Sequence, residues 1–283
     1  YGLGTSDMKG FLALAVEAAG QLRAKRLTAP LVILATADEE SGMAGARELQ
    51  GSWPAPLRPR QAIIGEPTAG RPVNLHKGML MEAIYIAGRA GHSSDPRLGR
   101  NALEDMSTVL QEILGWREEL ASRYQDERFA VPYPTLNLGH IHGGDNPNRI
   151  CGAAELHIDL RPLPGMDPAQ LRAELRDRLH DALGANAEHL TMRSLAVSQP
   201  PLATARTAEI VQLAEQLSGH PAAAAAFATE APYLSALGMD VVVLGPGDIA
   251  CAHQPDESLA VARLAPTLDM LRRFISHFCM AEN

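Results

Sequence analysis

The sequence predicts an α/β protein in which a mostly parallel sheet covered by helices is interrupted by an inserted ferredoxin-like βαββαβ unit. Two observations carry this. Apolar runs without alternation, at Leu31–Leu34, Ala62–Ile64 and Val241–Leu244, read as strands buried on both faces, and each runs out into acids or glycines. Between the second and third runs, strand and helix signals follow in the order βαββαβ.

Taken in order, the chain opens on a glycine-punctuated loop carrying Asp7, followed by FLALAVEAAGQLRAKR with apolar residues at helical spacing. The Leu31–Leu34 run then meets Asp38, Glu39 and Glu40, with Gly42 allowing a sharp exit. A short helix near Gly45 to Gln50 precedes a proline-rich loop and the strand ending in Gly65, Glu66 and Pro67. From Gly78 the inserted unit reads as strand GMLMEAIYIAG, helix Asn101 to about Arg123, strand PTLNLGHIH, turn GGDNPN, strand ICGAAELHIDLRPL, helix Pro168 to about Leu183 and strand HLTMRSLAV. In the strand after the turn, Glu155, His157, Asp159 and Arg161 alternate with Leu156, Ile158 and Leu160, so one face packs and the other is polar. The remainder predicts a helix near Thr207 to Ser218 closed by Gly219, a tight packing element at Ala222–Ala226, a strand Asp240 to Leu244 and a helix from about Ser258 to Phe278. The expected domains are residues 1–76 and 198–283 as one metal-binding domain, split by an inserted lid or dimerisation domain over 77–197.

Bulk properties narrow the function. The 283 residues, 46% of them hydrophobic, suffice for a sizeable core. A net charge of −8 without a basic cluster argues against nucleic acid or an anionic membrane as partner. Three scattered cysteines, Cys151, Cys251 and Cys279, form neither a disulfide framework nor a CxxC zinc site, which favours a reducing cytoplasm. No apolar run approaches the roughly 18 residues needed to span a bilayer. The first residue is Tyr1, inside what reads as a motif, so a missing or processed N-terminus is expected.

Asp7, Glu39, Glu40, Glu66 and His253 all fall in loops just after a strand or just before a helix of the same domain. Strand ends of a parallel sheet share one rim, where ligands bind. Carboxylates with an imidazole suit zinc, manganese or cobalt, and a bridging carboxylate sets two such ions roughly 3.5–4 Å apart. Glu39 and Glu40, as neighbours on extended chain, point apart, which leaves Glu39 as a general base beside a ligand. Ser93 and Ser94 lack a GxSxG elbow, and Gly245-Pro246-Gly247 lacks a P-loop lysine. His76, His140, His142 and His157 read as strand or loop residues rather than ligands.

The segments GLGTSDMKG, TADEESGMAGA, IIGEPT, GHSSDP, NPNRI and GPGDIACAHQPDE, in this order, resemble the M20 family of co-catalytic zinc peptidases and deacylases. The stretch from Val131 to Met166 most resembles its branch acting on N2-acetyl-L-ornithine; a desuccinylase, aminoacylase or carboxypeptidase, and a truncated non-catalytic dimerising chain, are the alternatives. The resemblance implies two divalent ions, zinc foremost, with Asp7 bridging, Glu40 and His253 completing one site and Glu66 serving the second. It implies Glu39 as general base, a homodimer through the inserted domain that delivers His92 to the partner's substrate carbonyl, Asn148 and Arg161 as substrate contacts, and a cis Asp7–Met8 bond. No His-x-Asp motif stands upstream of Asp7, where the family carries one, so a fragment or truncated form with an incomplete second site is expected.

Overall fold

The structure is a computed structural model describing residues 1–20, 22, 27–54 and 57–280, and it divides into two compact units. The first comprises residues 1–76, 202–225 and 229–283; the second comprises 77–201 and 226–228.

In the first unit, helix α1 (Lys9–Gly20) lies against α7 (Leu264–Cys279) through Phe11, Ala18, Leu271, Ile275 and Cys279. Its five-stranded sheet runs β1 (Gln61–Ile64), β11 (Asp240–Val243), β2 (Val73–His76), β10 (Ala223–Ala225), with β9 (Leu202–Ala203) also on β2. β1 is parallel to β11 and β10 to β2, while β11–β2 and β2–β9 are antiparallel. Helix α5 (Glu209–Ser218) packs Ile210, Val211 and Ala214 against Val242, Leu244 and Phe274, the last a residue of α7. Helices α2 (Ala44–Ser52) and α6 (Ala231–Ala236) meet through Ala46 and Tyr233.

Three expectations are corrected here. Leu31–Thr36 belongs to no ladder, and Val32, Ile33 and Leu34 are 37%, 39% and 37% exposed instead of doubly buried. An apolar run becomes a sheet strand only where a neighbour takes its backbone N–H and C=O groups. Among the described residues this one has no such neighbour, and β1 likewise pairs on one edge alone. Both line a single cavity of about 600 Å³. The alanine run forms an edge strand, β10. The last helix begins at Leu264, after a short 3-10 turn, with Pro266 in its first turn, where a missing N–H costs nothing. The predicted extension of α1 past Gly20 lies largely outside the described residues.

The second unit follows its pattern closely. Its sheet runs β5 (Thr135–Gly143), β7 (Ala153–Arg161), β3 (Leu80–Ala87), β8 (Leu190–Ser194), all antiparallel, beside a small ribbon of β4 (Gly91–His92) and β6 (Arg149–Ile150). Helix α3 (Ala102–Arg123) starts where Asn101 accepts the Leu103 N–H, and α4 (Pro168–Leu183) where Asp167 accepts that of Ala169. Both bury one stripe, led by Ile113, Trp116 and Leu120 in α3 and by Leu171, Leu175 and Leu179 in α4. Leu80, Ile84, Ile86, Leu156, Ile158 and Leu160 fill the packed face of the sheet, while Tyr85, Glu155, His157 and Arg161 take the open one. Glu82, fully buried on the packed face, is held by Arg172 at 2.7 Å and Ser194 at 2.5 Å.

Candidate metal centre

The parallel register of β1 and β11, Ile64 opposite Val243, brings the loops that follow both strands to one rim. Glu66 lies two residues past Ile64, and the Gly245–Glu257 loop starts just past Val243. Gly245 is backed directly by the Gly65 backbone, where a Cβ would sit 2.1 Å from the Gly65 carbonyl oxygen. Ala69 and Gly70 donate to the carbonyls of Gly247 and Gly245, tying the two loops together.

The loop carrying Asp7 is held to the same rim by Glu257, which is 3% exposed. One of its oxygens accepts the N–H groups of Ser6 at 2.8 Å and Asp7 at 2.9 Å, the other that of Gly4 at 2.8 Å. Burial works to raise the Glu257 pKa, but the three N–H donors outweigh it and hold the carboxyl below its ordinary range. Ser6 accepts from the Asp248 N–H at 2.8 Å, and the Asp7–Met8 peptide is cis.

Asp38 adopts a left-handed conformation at φ 65°, and its carbonyl accepts from Ser41, Gly42 and Met43, so the chain reverses tightly and presents Glu39 and Glu40. His253 is also left-handed, at φ 59°. Its Nε2 lies 3.3 Å from Asp7 Oδ2 and 3.0 Å from Glu40 Oε2. Ligand atoms of Asp7, Glu40 and His253 all fall within 4.8 Å of one another.

Glu66, 7% exposed, hydrogen-bonds Asp7 through its side chain. Two carboxyl groups in that contact must share a proton or a cation. Burial first, then the charges of Glu39 and Asp7, drive the Glu66 pKa well above the carboxylate range. Glu39 is raised to about 7 by burial, then by the negative charges of Glu40, Glu230 and Asp7, against the opposing pull of His253. Clustered oxygens with one imidazole, strained by mutual repulsion, fit a divalent cation: Asp7, Glu40 and His253 would hold one ion, and Asp7 with Glu66 offers oxygens to a second.

Two participants escaped the sequence reading. Glu230, 9% exposed, lines the same cavity as Glu39 and Glu66 and accepts from the Thr36 hydroxyl at 2.6 Å, while its Oε1 has no hydrogen-bond partner among the described residues. In sequence it is one acid at a helix start, where acids are commonplace. Glu257 stood in a quoted motif, yet an acid that caps a distant loop leaves no local signal.

The remaining predicted residues lie in the second unit. His92, exposed in β4, accepts the Ser94 N–H at Nδ1 at 3.2 Å, with the Ser94 hydroxyl 2.7 Å from the same nitrogen. Nδ1 is therefore the acceptor and Nε2 carries the proton, a neutral tautomer with a donor to offer. The Asn148 carbonyl accepts from Ser93, placing Asn148 beside that loop. Arg161, at the end of β7, pairs with Asp159 at 2.9 Å.

Comparison with known proteins places the chain among relatives. A family model described as a peptidase dimerisation domain matches residues 74–187. Acetylornithine deacetylase from Edwardsiella ictaluri (strain 93-146) is 47% identical over 279 residues, 99% of this chain and 72% of that protein. The crystal structure of aminopeptidase PepT from Bacillus cereus ATCC 10987 superposes with a TM-score of 0.70 at 20% identity, over 95% of this chain and 70% of that one. An M20 family metallo-carboxypeptidase from Sulfolobus solfataricus gives 0.68 at 18% identity, over 97% and 76%. The likeness in sequence to the deacetylase and in fold to the peptidases has one source: the chain belongs to the M20 family of hydrolytic enzymes.

Proposed function

We propose that the chain removes the acetyl group from N2-acetyl-L-ornithine, giving ornithine and acetate in arginine synthesis, as a cytoplasmic homodimer joined through its second unit. The observation that carries this is the meeting of Asp7, Glu40 and His253 within 4.8 Å, beside a half-buried Glu39, in a chain 47% identical to an acetylornithine deacetylase. The first unit is the catalytic, metal-binding part.

Two divalent ions, zinc foremost and cobalt or manganese as substitutes, supply Lewis acidity that polarises the acyl carbonyl and acidifies the attacking water. The chain's own residues do the rest. Glu39 takes a proton from that water and returns it to the leaving amine, the paired tasks of a carboxylate placed beside the ligand Glu40. The Nε2–H of His92, delivered across the dimer, donates to the carbonyl oxygen as charge develops there. Arg161 and Asn148 bind the substrate carboxylate, for which a planar guanidinium is well shaped.

Glu39→Gln is the test. Retained metal content with turnover reduced by about 10²–10⁴-fold is expected of a lost general base, whereas unchanged turnover refutes the assignment. A panel of N-acetyl, N-succinyl and other N-acyl amino acids then separates this substrate from those of related deacylases, because the metal loops are machinery that all would share.

A further inference from the structure

The open face of the second unit's sheet carries three histidines that the proposed reaction does not use. Their placement depends on one residue. In TLNLGHIH, Leu136, Leu138, His140 and His142 share parity and would all take one face of an unbroken strand. The register shows Leu138 opposite Ile158, then His140 opposite His157, so Gly139 is an extra, bulged residue. Beyond the bulge the parity flips. His140 and His142 leave the packed face of Leu136 and join the open face of Glu155 and His157.

The bulge creates two directly opposed pairs, His140 with His157 and His142 with Glu155. Directly opposed residues on antiparallel strands hold their Cβ atoms about 4.5–5.5 Å apart, a span that two imidazoles can close on one ion. The His140 and His157 rings have centroids 4.7 Å apart, tilted by 44°. Behind them, His157 Nε2 lies 2.9 Å from Glu155 Oε1. A carboxylate only accepts, so Nε2 carries a proton, and in the neutral ring the Nδ1 lone pair is left for a Lewis acid. That is the carboxylate–histidine arrangement which, around metals, fixes the tautomer and raises ligand basicity. His140 and His142 are exposed, and the His157 and Glu155 side chains are about one-third exposed, so the pair is open to an ion from solution.

We propose that His140 and His157 chelate a first-row divalent ion of the imidazole-seeking class, Zn²⁺, Ni²⁺ or Cu²⁺, on this face, with Glu155 as the positioning residue behind His157. Imidazole nitrogen is the donor these ions share. The site is built from residues of the second unit alone and does not depend on the deacetylase assignment.

Cu²⁺ titration of the full chain, followed by calorimetry and by electron paramagnetic resonance, tests it. The wild type is expected to bind one equivalent more than the His140→Ala/His157→Ala double variant, with two equatorial imidazole nitrogens in the spectrum of that equivalent. Either single variant should weaken it at least tenfold, and Glu155→Gln by about tenfold, the scale of a lost orienting partner. In an Asp7→Ala/His253→Ala background, which removes the competing centre, substoichiometric Cu²⁺ should broaden the ring resonances of His140 and His157. Equal stoichiometry in the wild type and double variant, or ring resonances untouched by Cu²⁺, overturns the proposal.

Discussion

The two units solve the same problem, burying apolar residues against a sheet, by different means. In the second unit every strand of the main sheet has its neighbour, the helices are capped by their own sequence, and Leu80, Ile84, Ile86, Leu156, Ile158 and Leu160 are buried together on the packed face. In the first unit, loops are held by groups distant in sequence: the Asp7 loop by Glu257, the Glu66 loop by the backbone around Gly245, Thr36 by Glu230. The chemistry lies in the second kind of construction. Carboxylates crowded at one rim cost free energy and are kept there by surrounding structure, while a regular sheet needs no such constraint.

This contrast sets how much could be read in advance. Pro168–Leu183 was legible to the residue, because Asp-Pro marks a start and Leu171, Leu175 and Leu179 mark a face. The alternation Glu155, His157, Asp159 and Arg161 likewise gave β7 its open side. The Gly139 bulge was not legible, since one extra glycine in an alternating strand shows only against its partner's register. Residues Asp7, Glu39, Glu40, Glu66 and His253 were singled out as acids and an imidazole beside expected strand ends or helix starts, and the structure gathers Asp7, Glu40 and His253. Glu257 and Glu230 were not, because their partners are more than 190 residues away. Leu31–Leu34 shows the limit most plainly: composition marks a segment able to be a strand, but the ladder partner is not written in it.

The largest effect on stability is expected in the regular unit. Ile84, fully buried in β3 between β7 and β8, should cost about 2–5 kcal/mol when replaced by alanine, through lost transfer free energy and the cavity left behind. Chemical denaturation reads this as a lower midpoint at unchanged slope. A loss below 1 kcal/mol would mean the sheet is less tightly packed than described.

Next is the tether of the irregular unit. Glutamine at Glu257 keeps one oxygen for Ser6 and Asp7 but turns an amide N–H₂ toward the Gly4 N–H. The expected cost is about 1–3 kcal/mol, with weaker metal retention as the Asp7 loop loosens. The carboxyl's folded pKa is lowered, so its stabilisation is fully present above the unfolded value of about 4.3 and is lost as pH falls through the folded one. Denaturation midpoints of wild type and Glu257→Gln should therefore stay a constant distance apart near neutrality and converge in acid. A gap that widens in acid would show that the N–H donors do not favour the charged form.

The smallest effect sharpens the comparison furthest, because it sets the same residue type in the same kind of apolar run against Ile84. Ile33 stands in an unalternating run as strand-like as any in the chain, yet it is 39% exposed, whereas Ile84 is 0%. If burial against a paired neighbour, and not β propensity, is what stabilises, Ile33→Ala should cost well under about 1.5 kcal/mol, since the side chain surrenders only part of its surface to the protein. Ile33→Ser should cost little more, because a hydroxyl on a half-exposed segment keeps its water; in β3 the same change would leave it unsatisfied and add a desolvation penalty. The difference between serine and alanine is thus the diagnostic quantity: near zero at Ile33 and clearly positive at Ile84. Equal penalties at the two positions would mean that Leu31–Thr36 is enclosed in the working protein, and that the cavity it lines with β1 is filled there.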